Sequence, residues 1–201
     1  MTTTRSNYAP QELDLYETPH WVTEQLLPYL GEGLPIWDPS AGNCQMSDVL
    51  VQDGHNVVTT DIVERDRELT GIFDFLSDQP KPFFDERLII ANPPYGHQNR
   101  TATRFVERAL ERSRRGVAML LTAKFDSGST RQHLFKNNRR FCRKVVLLDR
   151  IQWFAGPHTN TEDHAWFFWA ADDAQKRTPT LEYVRNPYRA SKAPVSRPKG
   201  L

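Results

Sequence analysis

Leu88-Ile89-Ile90-Ala91-Asn92-Pro93-Pro94-Tyr95 is the stretch of sequence that decides the fold. Its four apolar residues are typical of a buried strand. The two prolines must end that strand, because neither has an N–H for the sheet ladder and both have a fixed φ. The strand is therefore expected to end in a rigid arrangement of the Asn92 amide, the Pro93 carbonyl and the Tyr95 ring. An ordinary strand-ending turn also fits this tetrapeptide, so the flanking sequence must decide.

Before this stretch, two apolar segments are each followed by an acidic residue. The strand predicted at 34–37 runs into Asp38-Pro39-Ser40-Ala41-Gly42-Asn43, and a helix is predicted at 45–53. The strand predicted at 56–60 ends at Asp61, about 23 residues after Asp38. This is close to the spacing at which an acidic residue binds ribose hydroxyls in nucleotide-binding folds. A third carboxylate, Asp74, precedes Phe75, which suits either a stacking surface for a flat ring or the core.

The N-terminal part of the chain contains a helix-start signal. Thr18 and Pro19 suit the N-cap and first position of a helix, and Val22, Leu26 and Leu30 would form its apolar face. Unpaired N–H groups at such a helix start can also hold a ligand carboxylate, although capping alone explains the sequence.

After the tetrapeptide, predicted helices and strands continue to alternate. Helices are predicted at 101–115 and 130–140, and strands at 116–121, 144–148 and 164–169, the last with an aromatic run typical of a core. Such alternation predicts a doubly wound α/β sheet. A length of 201 residues suits one domain. We predict that this domain covers 1–175 and that 176–201 form a basic, proline-containing tail with little core of its own.

The composition excludes several classes of protein. No apolar stretch approaches the roughly 20 residues of a membrane helix, and no secretory signal follows the first residues. Cys44 and Cys142 are spaced for neither a metal site nor a disulfide framework, which favours reduced thiols and a cytoplasmic location. The histidines show no ligand spacing, so no metal is expected.

The net charge of +1 hides a strong asymmetry along the chain. Residues 1–96 hold 5 Lys or Arg against 16 Asp or Glu, whereas residues 97–150 hold 14 against 4. A solvated charged surface explains part of the basic excess. An excess of ten directly after the tetrapeptide also suggests a surface for a polyanion such as nucleic acid.

Taken in order, the motifs resemble those of the S-adenosylmethionine-dependent amino methyltransferases, most closely the adenine-N6 DNA methyltransferases. The residues that carry the resemblance are Tyr16-Glu17-Thr18-Pro19, Asp38-Pro39-Ser40-Ala41-Gly42, Asp61, Asp74-Phe75 and Asn92-Pro93-Pro94-Tyr95. The resemblance extends from about residue 14 to about residue 170. It implies a Rossmann-like sheet of about seven strands, the last antiparallel, and S-adenosylmethionine as the cofactor.

The resemblance implies that Asn92, Pro93, Pro94 and Tyr95 form the catalytic site. Hydrogen bonds from the adenine amine to the Asn92 side-chain oxygen and the Pro93 carbonyl would localise the nitrogen lone pair and align it for attack. Tyr95 would stack on the base. A base in duplex DNA must first be flipped out of the stack. Phe154, with Trp153 as the alternative, is assigned to the second aromatic wall of the base pocket.

On the cofactor side, the resemblance assigns the methionine carboxylate to Thr18 and the ammonium group to Asp38. It assigns the ribose hydroxyls to Asp61, and the adenine ring to Asp74 and Phe75. The full cofactor set is Tyr16, Thr18, Asp38, Pro39, Ser40, Gly42, Asp61, Ile62, Asp74 and Phe75. The family usually has a second glycine where this chain has Cys44, and a side chain there is expected to narrow the pocket. The cations assigned to the nucleic-acid backbone are Arg100, Arg104, Lys124, Arg131, Arg139 and Arg140.

Three functions remain open from the sequence. The first is methylation of adenine N6 in DNA. The second keeps the chemistry but changes the acceptor to RNA adenine, cytosine N4 or a protein glutamine, because the tetrapeptide suits any planar amine or amide. The third is a noncatalytic nucleic-acid-binding module with this fold. The tail is too short for a target-recognition domain, so we expect low specificity, recognition by the loops 97–102, 124–130 and 155–163, or a specificity partner or homodimer.

Overall fold

A computed structural model of the protein describes residues 16–78, 87–154, 162–172, 174–175 and 178–189. Within these ranges the chain forms one eight-stranded sheet and three α-helices, joined by short 3-10 turns. The helices are α1 (His20–Glu24), α2 (Gln45–Gln52) and α3 (Arg100–Arg112). The strands are β1 (Pro35–Asp38), β2 (Asn56–Asp61), β3 (Gly71–Ile72), β4 (Leu88–Ala91), β5 (Val117–Thr122), β6 (Phe141–Leu147), β7 (His164–Trp169) and β8 (Thr180–Val184).

The order of the strands places two predicted motifs side by side. The order is β3-β2-β1-β4-β5-β7-β6-β8, and neighbours are parallel except where β7 pairs with β5 and β6. The chain runs outward from β1 to β2 and β3, and β4 then pairs with the other side of β1. Sheets of this kind bind ligands outside the carboxyl ends of their strands, at such a reversal. We call this side, where Asp38 and Asn92 lie, the carboxyl edge and the opposite side the amino edge.

Alternate residues of the central strands pack into two separate layers. Ile89 and Met119 pack with α3 on one face, whereas Ile90 and Leu120 pack with α1 and α2 on the other. This alternation follows from the two-residue period of a strand. Since both faces are covered, the strands are apolar throughout, and the predicted doubly wound α/β fold is confirmed.

The aromatic strand β7 lies in the core, as predicted. Trp166, Phe167 and Trp169 are all buried. The indole N–H of Trp166 donates to the Val22 carbonyl at 2.9 Å, and that of Trp169 donates to the Leu134 carbonyl at 2.7 Å. A buried indole is stable because its one polar atom has a partner.

The start of α1 differs from the prediction. The N-cap is Pro19, no side chain caps the helix, and the first helical residue is His20. Thr18 is buried, and its hydroxyl oxygen accepts a hydrogen bond from the Asn92 side chain instead. The prediction that Thr18 caps α1 is therefore wrong.

One further local prediction is wrong. Residues 130–140 do not form an α-helix, because a 3-10 turn at Ser129–Leu134 ends before β6 begins at Phe141. The predicted tail contains a strand, β8, which pairs in parallel with β6 and is an eighth strand beyond the expected seven. The antiparallel strand β7 is the last of those seven. Since Leu181 and Tyr183 of β8 are more than half exposed, this edge strand has little of the hydrophobic signal by which strands are predicted.

No helix among the described residues is long and apolar enough to cross a membrane.

Candidate active site

A cavity of about 450 Å³ opens at the carboxyl edge, where β1, β2 and β4 end. Its wall comes from the segments 16–18, 38–43, 45–46, 61–62 and 74–76, together with Arg65, Asn92, Pro94 and two residues of α3. All residues predicted for the cofactor contribute to this wall. The topology therefore brings together motifs from Tyr16 to Asn92, which are 76 residues apart in the sequence (92 − 16).

Asp38 is a fully buried carboxylate at the tip of β1. One oxygen accepts from the Ser47 hydroxyl at 2.7 Å and the other accepts from the Ser40 amide at 3.3 Å. Burial raises the pKa of Asp38 to about 7, against the lowering effect of these hydrogen bonds. The ionised form therefore needs a positive partner, and a ligand ammonium group in the cavity would provide one.

Asp61, at the end of β2, is held by the main chain. Its Oδ2 atom accepts from the Gly42 amide at 3.0 Å, and Oδ1 accepts from the Ile62 amide at 2.8 Å. The Arg65 guanidinium lies beside it, with Nη1 at 3.6 Å from Oδ1. The carboxylate is thus fixed in orientation at the wall of the cavity.

The segment 16–18 connects the cavity wall to the tetrapeptide. Glu17 accepts from the side-chain amides of Asn43 at 2.6 Å and Gln45 at 2.5 Å. The Tyr16 carbonyl and the Thr18 hydroxyl both accept from Asn92. This segment therefore holds the loop after β1 and the end of β4 in a fixed relation.

Asn92 is oriented by these contacts. Its Nδ2 atom donates to the Tyr16 carbonyl at 2.9 Å and to the Thr18 hydroxyl at 3.1 Å. A carbonyl only accepts, so the nitrogen must face Tyr16 and the side-chain oxygen must face the other way. The main-chain carbonyl of Asn92 accepts from the Ser40 hydroxyl at 3.2 Å. A preorganised side-chain acceptor therefore lies at the cavity wall.

Tyr95 lies beside Asn92 but does not belong to the described cavity wall. Its hydroxyl donates to the Leu120 carbonyl at 3.1 Å and lies 3.4 Å from the Asn92 side-chain oxygen. Burial raises the pKa of this hydroxyl, which therefore remains a neutral donor. Its ring meets the buried His164 ring edge-on, with the centroids 6.0 Å apart. Stacking of Tyr95 on a base stays a prediction.

The two aromatic residues considered for the second wall both contact Tyr16. The ring of Trp153 is 5.6 Å from Tyr16 and 5.4 Å from His164, and the ring of Phe154 is 5.8 Å from Tyr16. Phe154 is 38% exposed. The choice between Trp153 and Phe154 stays a prediction, and the loop 155–161 next to them lies outside the described residues.

Cys44 does not narrow the cavity. Its side chain is buried against Ala41 and Leu69, and it is not part of the described cavity wall. Its φ of +64° lies in the left-handed region, which glycine adopts without strain. The backbone conformation, rather than space for a ligand, therefore explains why a glycine suits this position.

The six cations predicted for the nucleic-acid backbone do not form one surface. Arg100 and Arg104 are exposed near the start of α3, and Lys124 is exposed after β5, so these three lie towards the carboxyl edge. The Arg131 guanidinium lies over the Phe125 ring and donates to the Phe125 carbonyl at 2.6 Å. It therefore already has partners within the protein.

Arg139 and Arg140 precede β6 and lie at the amino edge, opposite the cavity. Arg140 is buried, and it donates to the carbonyls of Leu110, Ser113 and Ala170 and pairs with the Asp172 carboxylate. It therefore stabilises the fold, and its assignment to a nucleic acid held at the cavity is wrong. Arg139 is exposed at the same distant edge, and its assignment stays a prediction.

Two charged cavity residues were missed by the sequence analysis. Glu17 lies inside a quoted motif but was given no role, and its side chain makes the two shortest polar contacts of the site. Arg65 follows Asp61 by four residues, and only its position in the fold shows that it reaches the cavity. A basic residue in a loop has no spacing signal of its own.

No protein-family model and no curated protein sequence matches the chain. Solved structures do match it. A candidate RNA methyltransferase from Pyrococcus horikoshii gives a TM-score of 0.61 at 18% identity over 79% of this chain and 88% of that one. A candidate class I S-adenosylmethionine-dependent methyltransferase from Listeria monocytogenes gives a TM-score of 0.58 at 12% identity, over 84% of this chain and 65% of that one. The modification subunit of a candidate type I restriction enzyme from Vibrio vulnificus gives a TM-score of 0.56 at 14% identity, over 85% of this chain and 47% of that one.

These similarities show that the chain has the fold of the S-adenosylmethionine-dependent methyltransferases. The chain spans 65% of the length of the Listeria protein and 47% of the length of the Vibrio subunit. At identities of 12 to 18%, the similarity concerns the fold alone.

Proposed function

We propose that the protein transfers a methyl group from S-adenosylmethionine to the N6 amine of adenine in DNA. The orientation of the Asn92 amide is the observation that carries this proposal. Its nitrogen donates to Tyr16 and Thr18, so its oxygen faces away from them as an acceptor for an incoming amine. An acceptor fixed before the substrate arrives needs no reorganisation during the reaction.

The cavity suits the cofactor by its charge. Glu17, Asp38, Asp61 and Asp74 line it, and a concentration of carboxylates attracts a cationic ligand. When bound, S-adenosylmethionine supplies a methyl group on a positively charged sulfur. Asp38 would pair with the ammonium group, and Asp61 would accept from the ribose hydroxyls.

The protein's own residues activate the amine. The lone pair of an adenine amine is delocalised into the ring, which makes it a weak nucleophile. The amine would donate one hydrogen bond to the Asn92 side-chain oxygen and one to the Pro93 carbonyl. These two hydrogen bonds favour a localised lone pair that points at the methyl group. Tyr95 would stack on the base as positive charge develops there.

DNA is the preferred acceptor because of two observations. Arg100, Arg104 and Lys124 are exposed towards the carboxyl edge, where they would contact phosphates beside a flipped base. The similarity to a restriction-enzyme modification subunit agrees with DNA and with a separate specificity partner. The similarity to a candidate RNA methyltransferase supports RNA as the second acceptor.

The test is transfer of a tritiated methyl group from S-adenosylmethionine to duplex DNA and, separately, to RNA. We expect labelled DNA with the wild type and a rate about 10³-fold lower with Asn92→Ala, because one preorganised acceptor is lost. Asn137→Ala, at an exposed position near the amino edge, is the matched control and should retain the wild-type rate.

Each alternative gives a different result in this assay. Label in RNA alone would replace DNA as the acceptor. Tight binding of nucleic acid without any transfer would favour the noncatalytic module. Equal rates for Asn92→Ala and the wild type would show that the reaction occurs elsewhere.

A further inference from the structure

Arg65 is the one cation among the described residues that line the cavity, and four carboxylates accompany it. Its side chain is 17% exposed, and its Nη1 atom is buried without a hydrogen-bond partner in the described part of the chain. Buried guanidinium N–H groups normally have partners. A cation is also unexpected in a cavity that suits a cationic ligand, so this side chain needs an explanation.

Asp61 does not satisfy Arg65. Nη1 lies 3.6 Å from Asp61 Oδ1, which is too long for a hydrogen bond. Each Asp61 oxygen already accepts from a backbone amide, of Gly42 or of Ile62. The orientation of the carboxylate is therefore set by the main chain, and a guanidinium N–H beside it has no hydrogen-bond partner among the described residues.

We propose that Arg65 is a cofactor-specificity residue, which donates hydrogen bonds to the ribose hydroxyl oxygens whose hydrogens Asp61 accepts. This inference rests on the proposed binding of S-adenosylmethionine in the cavity. A hydroxyl group is both donor and acceptor, so a carboxylate and a guanidinium side by side satisfy it from both directions. The planar fork of an arginine suits two neighbouring hydroxyls better than the single ammonium of a lysine.

The test measures binding of S-adenosylhomocysteine and of its 2′,3′-dideoxy analogue by calorimetry. Arg65→Met should lower the affinity for S-adenosylhomocysteine about 20-fold, which is within the usual range for the loss of a charged hydrogen bond. The wild type should bind the dideoxy analogue weakly, and Arg65→Met should bind it equally weakly, because the groups that Arg65 contacts are absent.

Arg67→Met is the matched control, because Arg67 lies in the same loop, pairs with Asp48 at 2.9 Å and is not part of the described cavity wall. It should bind both ligands as the wild type does. Arg65→Lys, a second variant, should give the same pattern with a smaller loss.

The failures are distinguishable. A wild type that binds no S-adenosylhomocysteine would contradict the proposed function itself. Equal affinities of the wild type and Arg65→Met for S-adenosylhomocysteine would overturn only the role of Arg65. So would an equal loss of affinity for both ligands in Arg65→Met. An equal loss in Arg67→Met would also overturn it, since the effect would then belong to the whole loop.

Discussion

The parts of the chain before and after Asn92 differ in how closely their structure follows the sequence motifs. Before Asn92, every residue predicted for the cofactor contributes to the wall of one cavity. After Asn92, the predicted cations are divided between the two edges of the sheet. Parallel strands end at a common edge, so residues at strand ends must converge. Cations on helices and turns have no such constraint, so the substrate side has to be tested residue by residue.

The largest expected effect on binding concerns the cofactor side. Asp38→Asn should lower the affinity for S-adenosylmethionine about 100-fold, because a buried carboxylate that pairs with an ammonium group contributes several kcal/mol to the binding free energy. Its affinity for DNA should not change, since Asp38 lies on the cofactor side. Calorimetry and fluorescence anisotropy measure the two affinities.

Asp48→Asn is the control for this comparison, because Asp48 pairs with Arg67 outside the described cavity wall. Loss of DNA affinity in Asp38→Asn would show that the cofactor and substrate sides are not separate.

Arg140 provides the next largest effect, on stability. Arg140→Met removes the donor to three carbonyls and should lower the free energy of unfolding by about 2 to 3 kcal/mol. DNA affinity should not change, in contrast to the original assignment of Arg140 to the nucleic-acid backbone. Urea unfolding and anisotropy test the two statements, and a stable variant with weak DNA binding would refute both.

The two edges of the sheet can be compared directly by charge reversal. The double variant Arg100→Glu and Arg104→Glu should lower the affinity for duplex DNA about tenfold, because phosphate contacts are lost. For the same reason, the logarithm of the affinity should fall less steeply with the logarithm of the salt concentration. The double variant Arg114→Glu and Arg139→Glu makes the same charge change near the amino edge. Equal losses in both variants would mean that net charge, and not a defined surface, binds the DNA.

The smallest effect is a pH dependence of cofactor affinity. Burial raises the pKa of Asp38 to about 7, so the carboxyl group is mostly protonated below that pH. Binding of an ammonium group requires the ionised form of Asp38, whereas the ligand's own amine titrates equally for both proteins. The affinity of the wild type divided by that of Asp38→Asn should therefore fall about fourfold between pH 8 and pH 6.5. Calorimetry at several pH values measures this ratio, and a ratio that does not change with pH would assign the titration to another group.

The sequence was sufficient for the central sheet and for most of the cavity. Strands such as Leu88–Ala91 have continuous apolar runs, and the polar residue that ends each run is then placed by topology. The same reasoning missed β8, because an edge strand with Leu181 and Tyr183 exposed has no buried face to produce a pattern.

Side-chain partners were less predictable than positions. Thr18 has the residue type of a helix cap, but the proximity of Asn92 in the fold gives its hydroxyl another partner. Arg140 resembles its exposed neighbour Arg139 in sequence, and only the fold shows that it is buried and bonded to Leu110 of α3 and to Ala170 after β7. Such contacts join residues far apart in the chain, and spacing carries no information about them.

The central claim is that Asn92 presents an acceptor to the N6 amine of adenine in DNA. Nucleoside mass spectrometry, after incubation of the protein with S-adenosylmethionine and mixed DNA and RNA, tests it most directly. The expected result is N6-methyldeoxyadenosine with the wild type and formation of this product about 10³-fold more slowly with Asn92→Ala. Methylcytosine, methylated RNA alone, or an unchanged product with Asn92→Ala would contradict it.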